Sequence, residues 1–173
     1  VSAASIAPAN GGSDSITAGD GDDFIIGGAA GDTIEAGAGH NTILGDNGFV
    51  DYSVDGDLST LDVAATADPA AGGGDDVITG SVGNHVIIGG LGSDTIAMTG
   101  GQNIIVGDNA EMVFSHGALE SIRSLDPELG GNDTIDSGTS SDILLGGAGI
   151  DTIDAGSDVS RDIVVGDNGL ALF

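Results

Sequence analysis

Aliphatic residues recur along the chain in bursts of three, each opened by a polar residue and most set nine residues from the next. Asp14-Ser15-Ile16, Asp23-Phe24-Ile25, Asp32-Thr33-Ile34 and Asn41-Thr42-Ile43 form one set of four. Asp76-Val77-Ile78, His85-Val86-Ile87, Asp94-Thr95-Ile96 and Asn103-Ile104-Ile105 form a second. The third is Asp133-Thr134-Ile135, Asp142-Ile143-Leu144 and Asp151-Thr152-Ile153, closed by Asp162-Ile163-Val164 after a loop two residues longer. Each unit therefore holds a three-residue strand and a six-residue loop, and self-similarity at a short fixed period marks a solenoid. The middle residue of each strand should point inward: Ile16, Ile25, Ile34, Ile43, Ile78, Ile87, Ile96, Ile105, Ile135, Leu144, Ile153 and Val164. All but Leu144 are β-branched, as a stacked strand core favours.

A longer period encloses the short one. Every set closes on Gly-Asp-Asn, at Gly45-Asp46-Asn47, Gly107-Asp108-Asn109 and Gly166-Asp167-Asn168. Inserts of about two dozen residues follow the first two and finish in Asp68-Pro69 and Asp126-Pro127. An X-Gly pair between apolar runs predicts a hairpin in each. The first runs over 49–54, turns at Asp55-Gly56 and returns over 58–63. The second runs over 112–115, turns at His116-Gly117 and returns over 119–124, with a short helix over 118–125 as the competing reading. The chain then divides into a terminal strand completing a spacer (1–10), roll units over 11–48, 72–110 and 130–169, hairpin spacers over 49–71 and 111–129, and a truncated spacer strand (170–173). All belong to one continuous solenoid.

Charge sharpens this picture. The 173 residues carry 28 Asp+Glu against 2 Lys+Arg, a formal net charge of −26, with 33 Gly and no Cys. Phosphate contacts need Lys and Arg, so neither nucleic acid nor an anionic membrane is an expected partner. Disulfide, thiol and zinc-finger chemistry lack their residues. No apolar run approaches the roughly 18 residues of a membrane span, so no membrane insertion is expected, and the opening residues lack the basic start of a signal peptide. High charge and abundant Gly usually accompany disorder, yet 39% of the residues are apolar. Asp accounts for 24 of the acids and Glu for 4. Short carboxylates suit tight turns and a cation held close to the backbone.

Gly89-Gly90-Leu91-Gly92-Ser93-Asp94-Thr95-Ile96-Ala97 and Gly146-Gly147-Ala148-Gly149-Ile150-Asp151-Thr152-Ile153-Asp154 fit the pattern G-G-x-G-x-D-x-U-x at every defined position. The other units are partial: Ala30 replaces the third Gly of one, and Asn41, His85 and Asn103 replace the Asp of three. Over 11–168 the chain resembles the RTX, or hemolysin-type calcium-binding, repeat family. Its GDN-hairpin-DP spacers resemble those of long repetitive RTX surface and adhesin proteins of bacteria. The resemblance implies an all-β fold, a right-handed parallel β-roll (a β-solenoid of nonapeptide repeats with inserted β-hairpins), with calcium in the turns and export by type I secretion.

The spacing itself suits a hard cation. Two units make one rung, so alternate loops stack on the same side. Glycines let successive carbonyls turn toward one point, and the sixth-position Asp adds a carboxylate. A cage of about six oxygens fits calcium better than zinc or copper, and magnesium prefers to keep its waters. If each hairpin is an insertion within one loop, one column carries Asp14, Asp32, Asp76, Asp94, Asp133 and Asp151. The other carries Asp23, Asn41, His85, Asn103, Asp142 and Asp162. The all-aspartate column should bind more tightly, and the level of His85 and Asn103 should be empty or weak. The candidate ligands are the aspartates of both columns, Asn41, the loop glycines Gly12, Gly21, Gly39, Gly74, Gly92 and Gly149, and the GDN aspartates Asp46, Asp108 and Asp167. The GDN group has a second reading, as pins of the hairpin base through side-chain-to-backbone bonds, with ligation preferred. Asp20, Asp22 and Asp75 are auxiliary ligands or plain surface acids. Roughly four to eight calcium ions are expected from loop-pair stacking in this repeat class.

The outward strand positions separate into two faces. One sheet shows Ser15/Thr17, Thr33/Glu35, Val77/Thr79, Thr95/Ala97, Thr134/Asp136 and Thr152/Asp154, which is mostly polar. The other shows Phe24/Ile26, Thr42/Leu44, Val86/Ile88, Ile104/Val106, Ile143/Leu145 and Ile163/Val165. An apolar sheet of this kind must be covered or mark a contact. The spacers should fold back over it, with a second subunit as the other possible cover. Phe173 aligns with Tyr52 and Phe114, and Val1-Ser2-Ala3 with a returning arm, since Pro8 corresponds to Pro69 and Pro127. Both ends therefore fall inside one spacer. Either the chain is a piece of a longer array, or its ends pair head to tail between copies.

Catalysis finds no support: the histidines His40, His85 and His116 read as loop substituents, and no carboxylate pair is singled out. The thin core should not offset chain entropy and carboxylate repulsion without ions. The expectation is a non-enzymatic extracellular segment of a bacterial surface, adhesin or fibre protein that folds on binding calcium. The alternative is a calcium-dependent folding and secretion module of an exported protease, lipase or epimerase. Ice binding by the polar face is a minor alternative.

Overall fold

The computed structural model describes residues 2–6 and 9–173. The alignments that rest on Val1 and Pro8 lie outside the described residues. In chain order the strands are β1 (Ser2–Ala4), β2 (Ser15–Thr17), β3 (Phe24–Ile26), β4 (Thr33–Glu35), β5 (Thr42–Leu44), β6 (Gly48–Asp51), β7 (Val63–Thr66), β8 (Val77–Val82) and β9 (Val86–Ile88). They continue with β10 (Thr95–Gly100), β11 (Ile104–Val106), β12 (Ala110–Ser115), β13 (Ala118–Ser124), β14 (Thr134–Asp136), β15 (Ile143–Gly147), β16 (Thr152–Asp154), β17 (Ile163–Asp167) and β18 (Leu170–Leu172). All twelve nonapeptide strands form where the short period places them.

These twelve strands alternate between two parallel sheets, ordered β16-β14-β10-β8-β4-β2 and β17-β15-β11-β9-β5-β3. The register aligns the middle residues: Ile16 with Ile34, Ile34 with Ile78, Ile78 with Ile96, and so on to Ile153. The step from Ile34 to Ile78 crosses a spacer without changing sheet. Each hairpin is thus inserted in a loop, and the alternation of the roll survives. The middle residues of the inner rungs pack into one core with Met98 and Ala36. Val164 departs from the expectation: it lies on the last rung and stays 48% exposed, while Leu144 one rung earlier is at 0%.

The six remaining strands make a third, antiparallel sheet in the order β1-β6-β7-β12-β13-β18. It lies on the apolar outer face. Leu44, Ile88, Val106 and Leu145 from the roll pack with Val50, Ala64, Ala110, Met112, Phe114 and Ile122 from the spacers in a second core. The cover expected of the spacers is therefore supplied within the chain. The opposite face, including Thr33, Glu35, Thr134 and Asp136, stays exposed.

The second spacer is the expected hairpin, without a helix over 118–125. Its turn places His116 at φ 49° and Gly117 at φ 77°, the two positive values of a type I′ turn. The first spacer differs. Its arms are only β6 and β7, and residues 52–62 form a long loop, so the second arm begins where the sequence reading ended it. Asp51, Asp55 and Asp57 each accept the backbone N–H two residues on, at 2.8, 2.8 and 3.0 Å. These Asx turns compete with the strand ladder, and they leave Val54 and Leu58 exposed rather than paired.

Candidate metal centres

The six-residue loops collect along the two long edges between the parallel sheets. On one edge the sixth-position aspartates form a ladder. Oδ1 of Asp32 accepts the N–H of Asp14 at 2.7 Å, and the bond repeats from Asp32 to Asp76 at 2.6 Å. It repeats again from Asp76 to Asp94, from Asp94 to Asp133 and from Asp133 to Asp151, at 2.8, 2.8 and 2.9 Å. The other carboxylate oxygen, Oδ2 of Asp32, Asp76, Asp94, Asp133 and Asp151, is buried and has no hydrogen-bond partner.

Strand-end glycines leave room for those oxygens. A methyl group at Gly27, Gly45, Gly89, Gly107 or Gly146 would strike, in turn, Oδ2 of Asp32, Asp76, Asp94, Asp133 or Asp151. The same methyl would strike the carbonyl oxygen of the equivalent glycine one rung on. A buried carboxylate oxygen and a carbonyl oxygen therefore crowd one small cradle at five successive levels. Burial pushes the Asp94 carboxyl up to about 9 and those of Asp76 and Asp133 to about 7, against the pull of the donated N–H. Asp32 is raised by the same desolvation. A buried, half-satisfied carboxylate needs a proton or a cation, and an all-oxygen donor set with no sulfur or free imidazole fits a hard divalent ion. Among the described residues, no three His, Asp or Glu side chains converge in a ready-made cluster. Each loop brings one carboxylate, beside backbone carbonyls.

Among the loop glycines, the carbonyl of Gly74 approaches Gly92, that of Gly92 approaches Gly131, and that of Gly131 approaches Gly149. On the other edge the carbonyl of Gly21 approaches Gly39. Gly92 and Gly149 sit at φ 129° and 118°, where a side chain is strained. Gly12, on the first rung, meets no neighbour within contact distance.

The second edge is mixed. Asn41 accepts from Asp23, Asn103 from His85, Asp142 from Asn103 and Asp162 from Asp142, at 2.8, 3.0, 2.7 and 3.0 Å. Unpartnered buried carboxylate oxygens occur here at Asp23 and Asp142. Asn41 Nδ2 donates to the Ala36 carbonyl at 3.2 Å, and Asn103 Nδ2 to the Gly101 and Ser137 carbonyls at 3.1 and 3.0 Å. The amide hydrogens occupy carbonyls that a cation would otherwise draw in. At the His85 level β8 and β10 run on past their three-residue length, and the buried Met98 packs beside Gly80 and the His85 ring. Nε2 of His85 lies 3.2 Å from the Ser81 carbonyl. Burial lowers its pKa, favouring the neutral ring.

The GDN aspartates serve the unit that follows them. The Asp46 carboxylate accepts the N–H of Gly74 and of Leu91; that of Asp108 accepts the N–H of Gly131 and of Ala148. Burial raises them to about 8 and about 6. Asn47 and Asn109 donate to the Gly72 and Leu129 carbonyls, tying the spacer's return. Asp167 is exposed. A further ladder escaped the sequence reading. Asp22, Asp75, Asn84 and Asn132, each one residue before a column position, accept the N–H of His40, Ser93, Gln102 and Ile150 at 2.7–2.8 Å. The recurrence of short acceptors at the fifth loop position was its signal.

A parallel solenoid that gathers one carboxylate per loop along one edge, with glycine carbonyls beside them, defines an ion-binding β-roll. The RTX calcium-binding nonapeptide repeat family matches the chain four times, over residues 9–43, 26–48, 70–96 and 129–159, together more than half of its length. The chain belongs to this family of structural repeats, and its repeats bind calcium. No curated protein and no solved structure matches the chain.

Proposed function

We propose that the chain is an extracellular, calcium-folded structural segment of a bacterial surface, adhesin or fibre protein. The supporting observation is the run of five buried, unpartnered Oδ2 atoms, each facing a glycine cradle on one edge. The proposed ligands are Asp14, Asp32, Asp76, Asp94, Asp133 and Asp151 on that edge, Asp23, Asp142 and Asp162 on the other, and carbonyls of the loop glycines. Asn41 acts as a neutral pin there, and Asp46 and Asp108 order the incoming unit beside the ions. About four to eight ions bind, by loop-pair stacking. Because ions that bind only the folded form stabilise it by mass action, low calcium keeps the chain unfolded and external calcium folds it. The free edges of β1 and β18 pair antiparallel between copies.

Far-UV circular dichroism during a calcium titration at pH 9, with sedimentation at each point, tests this reading. A coil signal in chelator and a cooperative rise of β signal with calcium are expected. A β signal that persists in chelator overturns calcium-driven folding, and a monomer at saturating calcium overturns the pairing of edges.

A further inference from the structure

The first spacer carries a loop that the roll does not need. Its twelve residues are Asp51-Tyr52-Ser53-Val54-Asp55-Gly56-Asp57-Leu58-Ser59-Thr60-Leu61-Asp62. Oxygen-bearing side chains stand at positions 1, 3, 5, 9 and 12, with Gly at position 6. That is the order in which a twelve-residue loop wraps calcium: side chains at 1, 3 and 5, the carbonyl of 7, position 9 through water, and a carboxylate at 12. Here Ser replaces an acid at position 3 and Asp closes the loop where Glu is usual.

The structure ties the two ends of this loop together. Asp62 N donates to the Asp51 carbonyl at 2.9 Å, and Asp51 pairs with Val63 across β6 and β7. Gly56 lies at φ 89°, in the left-handed region its place in the pattern requires. Asp62 is the independent observation. It is 1% exposed, and its carboxylate turns inward, with Oδ2 accepting the N–H of Val54 at 2.7 Å. Its Oδ1 is buried and has no hydrogen-bond partner. A buried carboxylate oxygen without a hydrogen-bond donor is costly.

The neighbouring spacer holds the loop in place. The Asp62 carbonyl accepts the N–H of Phe114 at 2.7 Å, and Asp55 Oδ2 accepts the N–H of His116 at 2.6 Å. The His116 ring stands 3.7 Å from the same oxygen. The loop is thus anchored on two sides.

We propose that residues 51–62 bind a calcium ion of their own, outside the two columns of the roll. Asp51, Ser53, Asp55 and Asp62 contribute side-chain oxygens, Asp57 its carbonyl, and Ser59 a water. The shorter Asp62 gives one oxygen where Glu gives two, so affinity falls below that of a glutamate-closed loop. Ion binding joins the first spacer to the tip of the second and stiffens the covering sheet.

The chain offers its own probe. Tyr52, the second residue of the loop, is the only tyrosine, and there is no tryptophan. Terbium added to the calcium-folded full chain should emit on tyrosine excitation, and excess calcium should quench that emission. Asp51→Asn and Asp55→Asn should each cut it at least fivefold while the calcium-induced β signal is kept. Asp57→Asn, which leaves the carbonyl donor in place, should retain it. Calorimetry should count one ion fewer in the first two variants. Tyr52 also lies near the roll, its hydroxyl 3.3 Å from Thr42 Oγ1. Undiminished emission and unchanged ion count in Asp51→Asn and Asp55→Asn would assign the signal to the roll and overturn the proposal, as would no emission from the parent chain. Failure of the whole chain to fold in calcium is read separately, by circular dichroism.

Discussion

At the strand ends of β3, β5, β9, β11 and β15, one glycine leaves room for a carboxylate oxygen and a carbonyl oxygen to approach. Gly107 represents the set: a methyl there would strike both Asp133 Oδ2 and the Gly146 carbonyl. Gly166 occupies the equivalent place in the last GDN and meets nothing within contact distance. Neither has a positive φ, so the pair isolates space from backbone strain. Gly107→Ala should cost about 1–3 kcal/mol of folding stability, as overpacking does, and raise the calcium midpoint. Gly166→Ala should stay within about 0.5 kcal/mol, as open surface changes do. Urea melts at fixed calcium measure both. The sixth-position aspartates and the inward aliphatics were legible because each repeats at one spacing. Asn103 and His85 were legible only as departures. That Met98 fills the corner beside His85, and that amide hydrogens take the carbonyls, depends on contacts across rungs that the spacing of residues does not state.

The strands were read from the nine-residue period because a three-residue burst between glycine loops has few other uses. The same reading failed in the first spacer. Asp55-Gly56 looks like a hairpin turn, but three consecutive Asx turns and the inward Asp62 give residues 52–62 another shape. The second spacer, with no acid run, folds as its His116-Gly117 turn requires. Sequence faces also foretold that one sheet needed a cover, but not that both spacers and both terminal strands would join in one antiparallel sheet. Met112 is central to that cover. It is fully buried between the roll and the spacer sheet and pairs with Ala64 and Ile122 on either side. Met112→Ala should therefore cost about 2–5 kcal/mol, as large-to-small core changes do, with the nonapeptide strands retained. Urea melts give the loss. Hydrogen exchange should show it concentrated in β6, β7, β12 and β13.

Across the whole molecule, the formal charge of −26 is a problem of proton and calcium exchange. Asp46, Asp76, Asp94, Asp108 and Asp133 titrate in the ion-free fold at about 6 to 9, against an ordinary value of 3.8, mainly because burial disfavours their charged forms. The ion-free fold therefore binds more protons than the unfolded chain between those values. Its stability must fall as pH rises through that window, being fully present only below 3.8. In the proposed calcium-bound roll the sign reverses, because ions displace the protons of the column aspartates and their affinity grows as those carboxylates ionise. Circular dichroism from pH 5 to 9 should show β signal declining with pH in chelator. With calcium, the ion concentration needed for half-folding should fall over the same range. A chelated chain whose β signal is independent of pH would mean that these carboxyls are not buried together in the ion-free state. The protonated roll would then not be the form from which calcium takes over. If the decline is seen, acid and calcium are alternative ways of neutralising the same column, and the fold is stable only when one of them is supplied.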